Sequence, residues 1–224
     1  MKNTLLLITL ALFLLSGCKT NQDKKSTNTA KVEQTQSTPT KNANLKIFPT
    51  LNDSLHREIM IQGGTYVHKA MFGIKSALAK AIKEKGPEYA LEFCNAQAIP
   101  ITDSLGLSMN VGVKRVARKN RNPQNLTQGA ENDIYKQYVM GYLQNQTPRS
   151  LIEIDKNGHP VYYKLIPVKA ECLMCHGTPG VEIAPNLAAR IKELYPNDKA
   201  IDFKVSEPRG MWAITFNDIL IKTE

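Results

Sequence analysis

Hydrophobic and polar positions divide the chain into stretches of different character. Leu5 to Leu15 is an almost unbroken apolar run behind Lys2. Asn21 to Asn44 then carries Lys, Thr, Gln, Asn and Ser with almost no large side chain to bury. Beyond about Phe48 the apolar residues become periodic. Leu55, Ile59, Val67, Ile74, Leu78 and Ile82 follow the capping candidates Asp53 and Ser54 at helical spacing, which predicts an amphipathic helix to about Lys85. Gly63-Gly64 offers a place for it to bend. Gly86-Pro87 stops it, and Pro87 suits the first turn of a second helix reaching about Leu105. There Ala90, Leu91, Cys94, Ala98 and Ile101 share a face, so Cys94 is expected to point inward.

The period then changes. Met109, Val111 and Val113 alternate as a strand does. Glu131 to Leu143 reads as a third helix. Ser150 to Asp155 and His159 to Val168 form a predicted hairpin across Lys156-Asn157-Gly158, because Asn-Gly favours the tight turn that matches strand twist. Pro185 to Leu194 is a short helix stopped by Pro196, and Gly210 to Phe216 is an apolar, β-prone last strand. Helices first and strands later predict an α+β fold with an antiparallel sheet and flanking helices.

The first apolar run has the length of a secretion signal and is too short to span a bilayer comfortably. It ends in Leu15-Ser16-Gly17-Cys18, which resembles a bacterial lipobox. Such signals are cut before the Cys, whose thiol is lipidated. Residues 1–17 are thus expected to be a lipoprotein signal peptide, residues 18–46 the lipidated Cys18 with a flexible linker, and residues 47–224 the folded domain. The linker composition cannot offset its ordering entropy. Its root-mean-square reach is about 30 Å for roughly 28 residues. The mature protein is expected on a bacterial membrane, facing the periplasm or the exterior, without spanning it. The formal net charge of +9 does not imply nucleic acid. Lys19, Lys24, Lys25, Lys31, Lys41 and Lys46, against only Asp23 and Glu33, put much of the excess in the linker.

Cys172-Leu173-Met174-Cys175-His176 is the sharpest chemical signal. Two thiols at this spacing can each add to a haem vinyl group while the next residue reaches the iron. One covalent haem c is therefore expected, with His176 on the metal. The alternatives are a redox disulfide and a zinc site drawing on Cys94. The adjacent His, and the lack of an obvious thioredoxin-like pattern, argue against the disulfide. Gly177 is expected to keep the following turn loose. His56, His68, His159, Met60, Met71, Met109, Met211 and Cys94 are the candidates for the other axial position. Once Cys18 is lipidated and Cys172 and Cys175 are on haem, Cys94 is unpaired. It reads either as a buried small hydrophobe or as an iron thiolate. Lys114, Arg115, Arg118, Lys119 and Arg121 form a dense basic run. The run reads either as a solvated loop that aids solubility or as a source of one or two arginines, with Arg209 a further candidate, that neutralise haem propionates.

Residues from about Asp53 to Phe216 resemble the Tll0287-like (DUF3365) family of c-type haem domains. The resemblance rests on Ala90-Leu91-Glu92-Phe93-Cys94-Asn95, Arg121-Asn122-Pro123, Pro167 with Cys172-Leu173-Met174-Cys175-His176-Gly177, Tyr195-Pro196-Asn197-Asp198-Lys199-Ala200, and Arg209-Gly210. It implies a PAS-like antiparallel sheet with flanking helices and a long N-terminal helical segment around one haem. It also implies His176 and Cys94 as the axial ligands, and it singles out Arg121 as the propionate partner. The chain departs from the family at Asp202 and Ser206, where glycine is usual. The expected function is redox or gas sensing, with NO or CO as possible ligands. The alternative is a low-potential electron carrier, and a peroxidase-like enzyme is a minor one. No enzymatic role is expected. A sensor ending at Glu224 is expected to need a separate redox or signalling partner, and the long first helix is a possible homodimer surface.

Overall fold

The computed structural model describes residues 45–222. The expected signal peptide, the lipidation site at Cys18 and nearly all of the linker lie outside the described residues. Strand β1 (Lys46–Phe48) opens the described chain. Helix α1 follows over Asp53–Met109. Its cap is Asn52, one residue before the expected candidates: the Asn52 side chain accepts from the Leu55 N–H at 3.0 Å. Asp53 then sits in the first turn, where a negative charge favours the helix dipole.

Gly86 is the only residue inside α1 with non-helical dihedrals, φ 84° and ψ 176°. Pro87 explains the break, since it has no N–H to give and pushes its predecessor out of the α region. The two helices read from the pattern are thus the two arms of α1. The second arm passes the expected Leu105 and takes in Met109, so Met109 does not open the strand. Asn110 ends the helix in a left-handed conformation at φ 54°. Strand β2 runs over Val111–Val116.

Helix α2 (Glu131–Leu143), strands β3 (Leu151–Ile154) and β4 (Pro160–Pro167), the short helix α3 (Leu173–His176), helix α4 (Pro185–Leu194) and strands β5 (Pro208–Phe216) and β6 (Ile219–Ile221) complete the described elements. Four strands form an antiparallel sheet in the order β2-β5-β4-β3. Alternation assigns its faces. Trp212, Ile214, Phe216, Tyr162, Val111 and Val113 pack with Leu55, Ile59, Val67 and Ala70 of the first arm of α1. Met211, Ala213, Val161, Tyr163 and Val116 pack with Ile134, Tyr135 and Tyr138 of α2. The sheet is therefore covered on both faces. Tyr135 and Tyr138 donate their hydroxyls to the carbonyls of Pro208 and Tyr163, which ties α2 to the sheet. At the hairpin the Asp155 carboxylate accepts from the N–H groups of Asn157 and His159, and Gly158 takes φ 85°.

Two features differ from expectation. Lys46, read as the last linker residue, belongs to β1 and pairs with Ile219 in a parallel ribbon with β6. Strands of three residues are too short to display a period. Gly63-Gly64 does not bend α1. Gly63 instead lets the helix lie against the Tyr162 ring, where a Cβ would come within 2.4 Å of Tyr162 Cγ. At Gly64 the added atom would meet only the Tyr162 hydroxyl, at 3.7 Å. Gly63→Ala is therefore expected to destabilise the fold by about 1–3 kcal/mol through overpacking. Gly64→Ala is expected to be neutral or to gain up to about 1 kcal/mol from helix propensity. Thermal denaturation of the two variants checks this, and equal stabilities would refute it.

Candidate functional site

The site is built where the β4–α3 connection meets the second arm of α1 and the start of β5. After Pro167 the chain is pinned by two hydrogen bonds, Val168 N–H to Glu207 O at 2.9 Å and Ser206 N–H to Val168 O at 2.8 Å. A short 3-10 turn, Ala170–Cys172, runs directly into α3. The Cys172 sulfur accepts from the Lys169 N–H at 3.4 Å. This compact path puts Cys172, Cys175 and His176 within about one helical turn. The two half-buried sulfurs face different apolar clusters. Cys172 packs by Val168, Ala200 and Phe203, and Cys175 by Leu91, Ile183, Leu187, Ile191 and Tyr195. All three described cysteines are free thiols. Among the described residues no three His, Cys, Asp or Glu side chains converge as a bare metal ion requires.

Gly177 is buried, and the turn it makes is tight where a loose one was expected. A Cβ there would lie 2.7 Å from Glu182 Cβ and 2.8 Å from Leu173 O. The Gly177 N–H donates to Leu173 O, and its carbonyl accepts from the Asp202 N–H. Asp202 and Ser206 occupy the left-handed region at φ 57° and 73°. Left-handed backbone favours glycine, the residue that the resemblance leads one to expect at both places.

His176 donates through Nδ1 to the Ala200 carbonyl at 2.7 Å. A carbonyl can only accept, so the proton is on Nδ1 and Nε2 keeps its lone pair. Burial holds the imidazole well below its usual range, Arg209 and Arg121 reinforce this, and the Ala200 bond opposes it. The neutral ring with one nitrogen tied is the form that binds metals. Phe203 meets it edge-on, with ring centroids 6.4 Å apart.

The Ala200 carbonyl is itself held in place. Asp198 accepts from the Ala200 N–H at 2.8 Å and from Arg121 at 2.9 Å and 3.1 Å. Arg121 also donates to the Cys175 carbonyl at 2.6 Å. Its side chain and that of Asp198 are only 11% and 7% exposed. Arg121 thus fastens the Cys-containing turn to the Tyr195–Ala200 segment. The structure gives Arg121 this framework role, with Asp198 engaging its guanidinium.

Cys94 is half-buried on the second arm of α1. Burial pushes its thiol up, Arg115 and Arg121 pull it down, and Cys175 raises it. Cys94 and His176 therefore share Arg115 and Arg121 as electrostatic neighbours. The other axial candidates lie elsewhere. His56 and His68 are exposed, and His159 is hydrogen-bonded to Ile219 O at 2.7 Å beside the hairpin. Met60, Met71 and Met109 pack in the core under α1, and Met211 in the core under α2.

Arg115 and Arg209 carry charges that no carboxylate neutralises by an ion pair among the described residues. Arg115 lies 5.8 Å over the Trp212 ring, and desolvation lowers its pKa. Arg209 is lowered to about 10, first by burial and then by Arg121 and Arg115. Its Nε is buried without a hydrogen-bond partner. The strand pattern held a signal for Arg115, which shares the buried face of β2 with Val111 and Val113. Asp198 and the Ala200 carbonyl had none outside the matched motif. Taken together, the set fits a group with an apolar body, a metal and anionic substituents, as a haem has: two thiols, a neutral imidazole with Nε2 free, a third, half-buried thiol near the same arginines, and uncompensated guanidinium charge.

The Tll0287-like family model matches residues 20–217, and the chain belongs to that family. The crystal structure of the cyanobacterial heme-protein Tll0287 is similar, with a TM-score of 0.53 and 24% identity, covering 73% of this chain and 95% of that one. At that identity the likeness is one of fold, and it agrees with the mixed helical and antiparallel-sheet architecture. No curated protein matches the chain.

Proposed function

We propose that the chain is a c-type haem protein that senses redox state or a small ligand outside the cytoplasm. In this reading Cys172 and Cys175 hold the haem covalently, and His176 Nε2 and Cys94 Sγ are its axial ligands. A lipid on Cys18 anchors it to the membrane. The observation that carries the reading is the hydrogen bond from His176 Nδ1 to the Ala200 carbonyl, which leaves Nε2 free within the Cys172-Cys175-His176 turn, with Cys94 among the same arginines, Arg115 and Arg121. Kinship with a family whose solved relative is a heme-protein supports it. Haem supplies a one-electron couple and a metal to which molecules such as NO and CO bind.

The residues favour sensing for a physical reason. Desolvation pushes the half-buried Cys94 thiol toward its protonated form while Arg115 and Arg121 pull the other way, so a thiolate there would depend on further positive charge, which a ferric haem would supply. Were the charge facing it to fall, Sγ would favour the protonated form that desolvation already supports. Cys94 rides on the arm of α1 beyond the break at Gly86, whose Leu91 packs on α4, so release at Cys94 would act on that packing. A partner protein would read that change. A low-potential carrier is the second reading, favoured by Arg115 to the extent that it keeps Cys94 in place in both states. With both axial positions taken, peroxide turnover is not expected.

Chain matured in cells competent for c-haem assembly is expected to give a c-type pyridine haemochrome that survives acid-acetone extraction. Cys172→Ala with Cys175→Ala should lose at least about 90% of that covalent haem, since both thioether bonds are gone. Wild-type protein free of covalent haem would overturn the reading. A rapid, reversible voltammetric response with the same ligands in both states would select the carrier.

A further inference from the structure

Arg209 is the feature the axial ligands and thioether cysteines leave unexplained. It enters at the start of β5, with one terminal nitrogen donating to Lys119 O at 3.0 Å. Its guanidinium lies 5.4 Å from the centre of the Phe203 ring, which faces His176 edge-on at 6.4 Å. Lys119 lies over the same ring at 4.2 Å and donates to Ile201 O. Arg209 is therefore aimed at the ground beside His176, and its buried Nε has no partner. A buried donor left unmade costs about 1–3 kcal/mol, more when charged, so native proteins rarely keep one. The partner a planar guanidinium fork suits best is a carboxylate. Among the described residues none supplies it. Asp198, the acid whose charge reaches Arg209, is engaged by Arg121 and the Ala200 N–H.

We propose that Arg209 is the receptor for one propionate carboxylate of the haem, with its buried Nε as the donor, and that Arg121 is not. The assignment rests on the haem reading above. It makes Arg209 a positioning residue: it would hold one propionate carboxylate at the start of β5, beside Phe203.

The test uses haem-loaded full chain whose haem is isotope-labelled at the propionate carboxyls. The readout is the set of label-sensitive carboxylate bands in oxidised-minus-reduced infrared difference spectra. In the wild type, at least one band is expected away from the position found for a haem peptide in water. Arg209→Met is expected to return it there, and Arg209→Lys to retain part of the displacement. Bands that are the same in wild type and Arg209→Met overturn the assignment. If Arg209→Met does not accumulate with haem, the wild type decides, because bands already at the aqueous position overturn it equally. Failure of the wild type to give a c-type haemochrome overturns the haem reading itself, so the two failures are distinct.

Discussion

Cys94→Ala is expected to abolish the low-spin thiolate signature in the ferric EPR spectrum and to raise the reduction potential by on the order of 0.1 V, axial ligands being able to move haem potentials over about 0.8 V. The argument is electrostatic. An anionic sulfur stabilises the more positive oxidation state, so its loss favours reduction. Arg115 and Arg121 already favour the anion at Cys94. In the variant their positive charge faces the site without that anion, which pushes the potential the same way. Covalent haem should persist, because Cys172 and Cys175 are untouched. The variant should also bind CO or azide faster, since no side chain competes for the position. An unchanged EPR spectrum would remove Cys94 from the iron and return the question to the remaining candidates, which the fold places in other cores or on the surface.

Arg121→Met is the second large effect, and it acts on stability. The pair Arg121–Asp198 is close, at 2.9 Å, and nearly closed to solvent. Removing one partner of a buried pair leaves the other charge uncompensated and costs about 3–5 kcal/mol. Urea denaturation should show the loss as a lower midpoint with little change in slope. Adding Asp198→Asn should recover most of it, since the amide oxygen can still accept from the Ala200 N–H that Asp198 now takes at 2.8 Å. Non-additivity of this kind is the mark of a direct pair. Equal stability of Arg121→Met and wild type would show that the pair is idle. A further consequence concerns His176, because Arg121 steadies both the Cys175 carbonyl and the segment that presents Ala200 O to Nδ1. The variant's ferric spectrum should be broadened as well as its fold weakened.

Much of the architecture was legible because each signal was local. Helices α2 and α4 lie over the residues their periodicity and prolines mark, and Asn157-Gly158 makes the turn its dihedral preference demands. The break at Gly86 follows from Pro87 alone. What escaped was decided by neighbours distant in sequence. Gly63 looks like a hinge until Tyr162 is laid against it, and Gly177 looks like slack until Glu182 closes over it. The ribbon of β1 with β6 joins residues from opposite ends of the described chain.

The candidate site divides in the same way. Sequence by itself determined the Cys172-Cys175-His176 group, because thiols and imidazole at fixed spacing on one turn need no tertiary context to suggest their chemistry. It also determined that Cys94 sits on the inner face of a helix. Only the tertiary structure decided which charges surround them. Asp198, distant along the chain, binds Arg121 and makes it a clamp. Arg209 is left with a buried donor that no described residue meets. The lone pair on His176 Nε2 depends on a carbonyl from the Ala200 loop. Spacing along a chain records what one segment can do, but the protonation and pairing of a buried group depend on everything within a few ångströms of it, and that shell is assembled only when the chain folds.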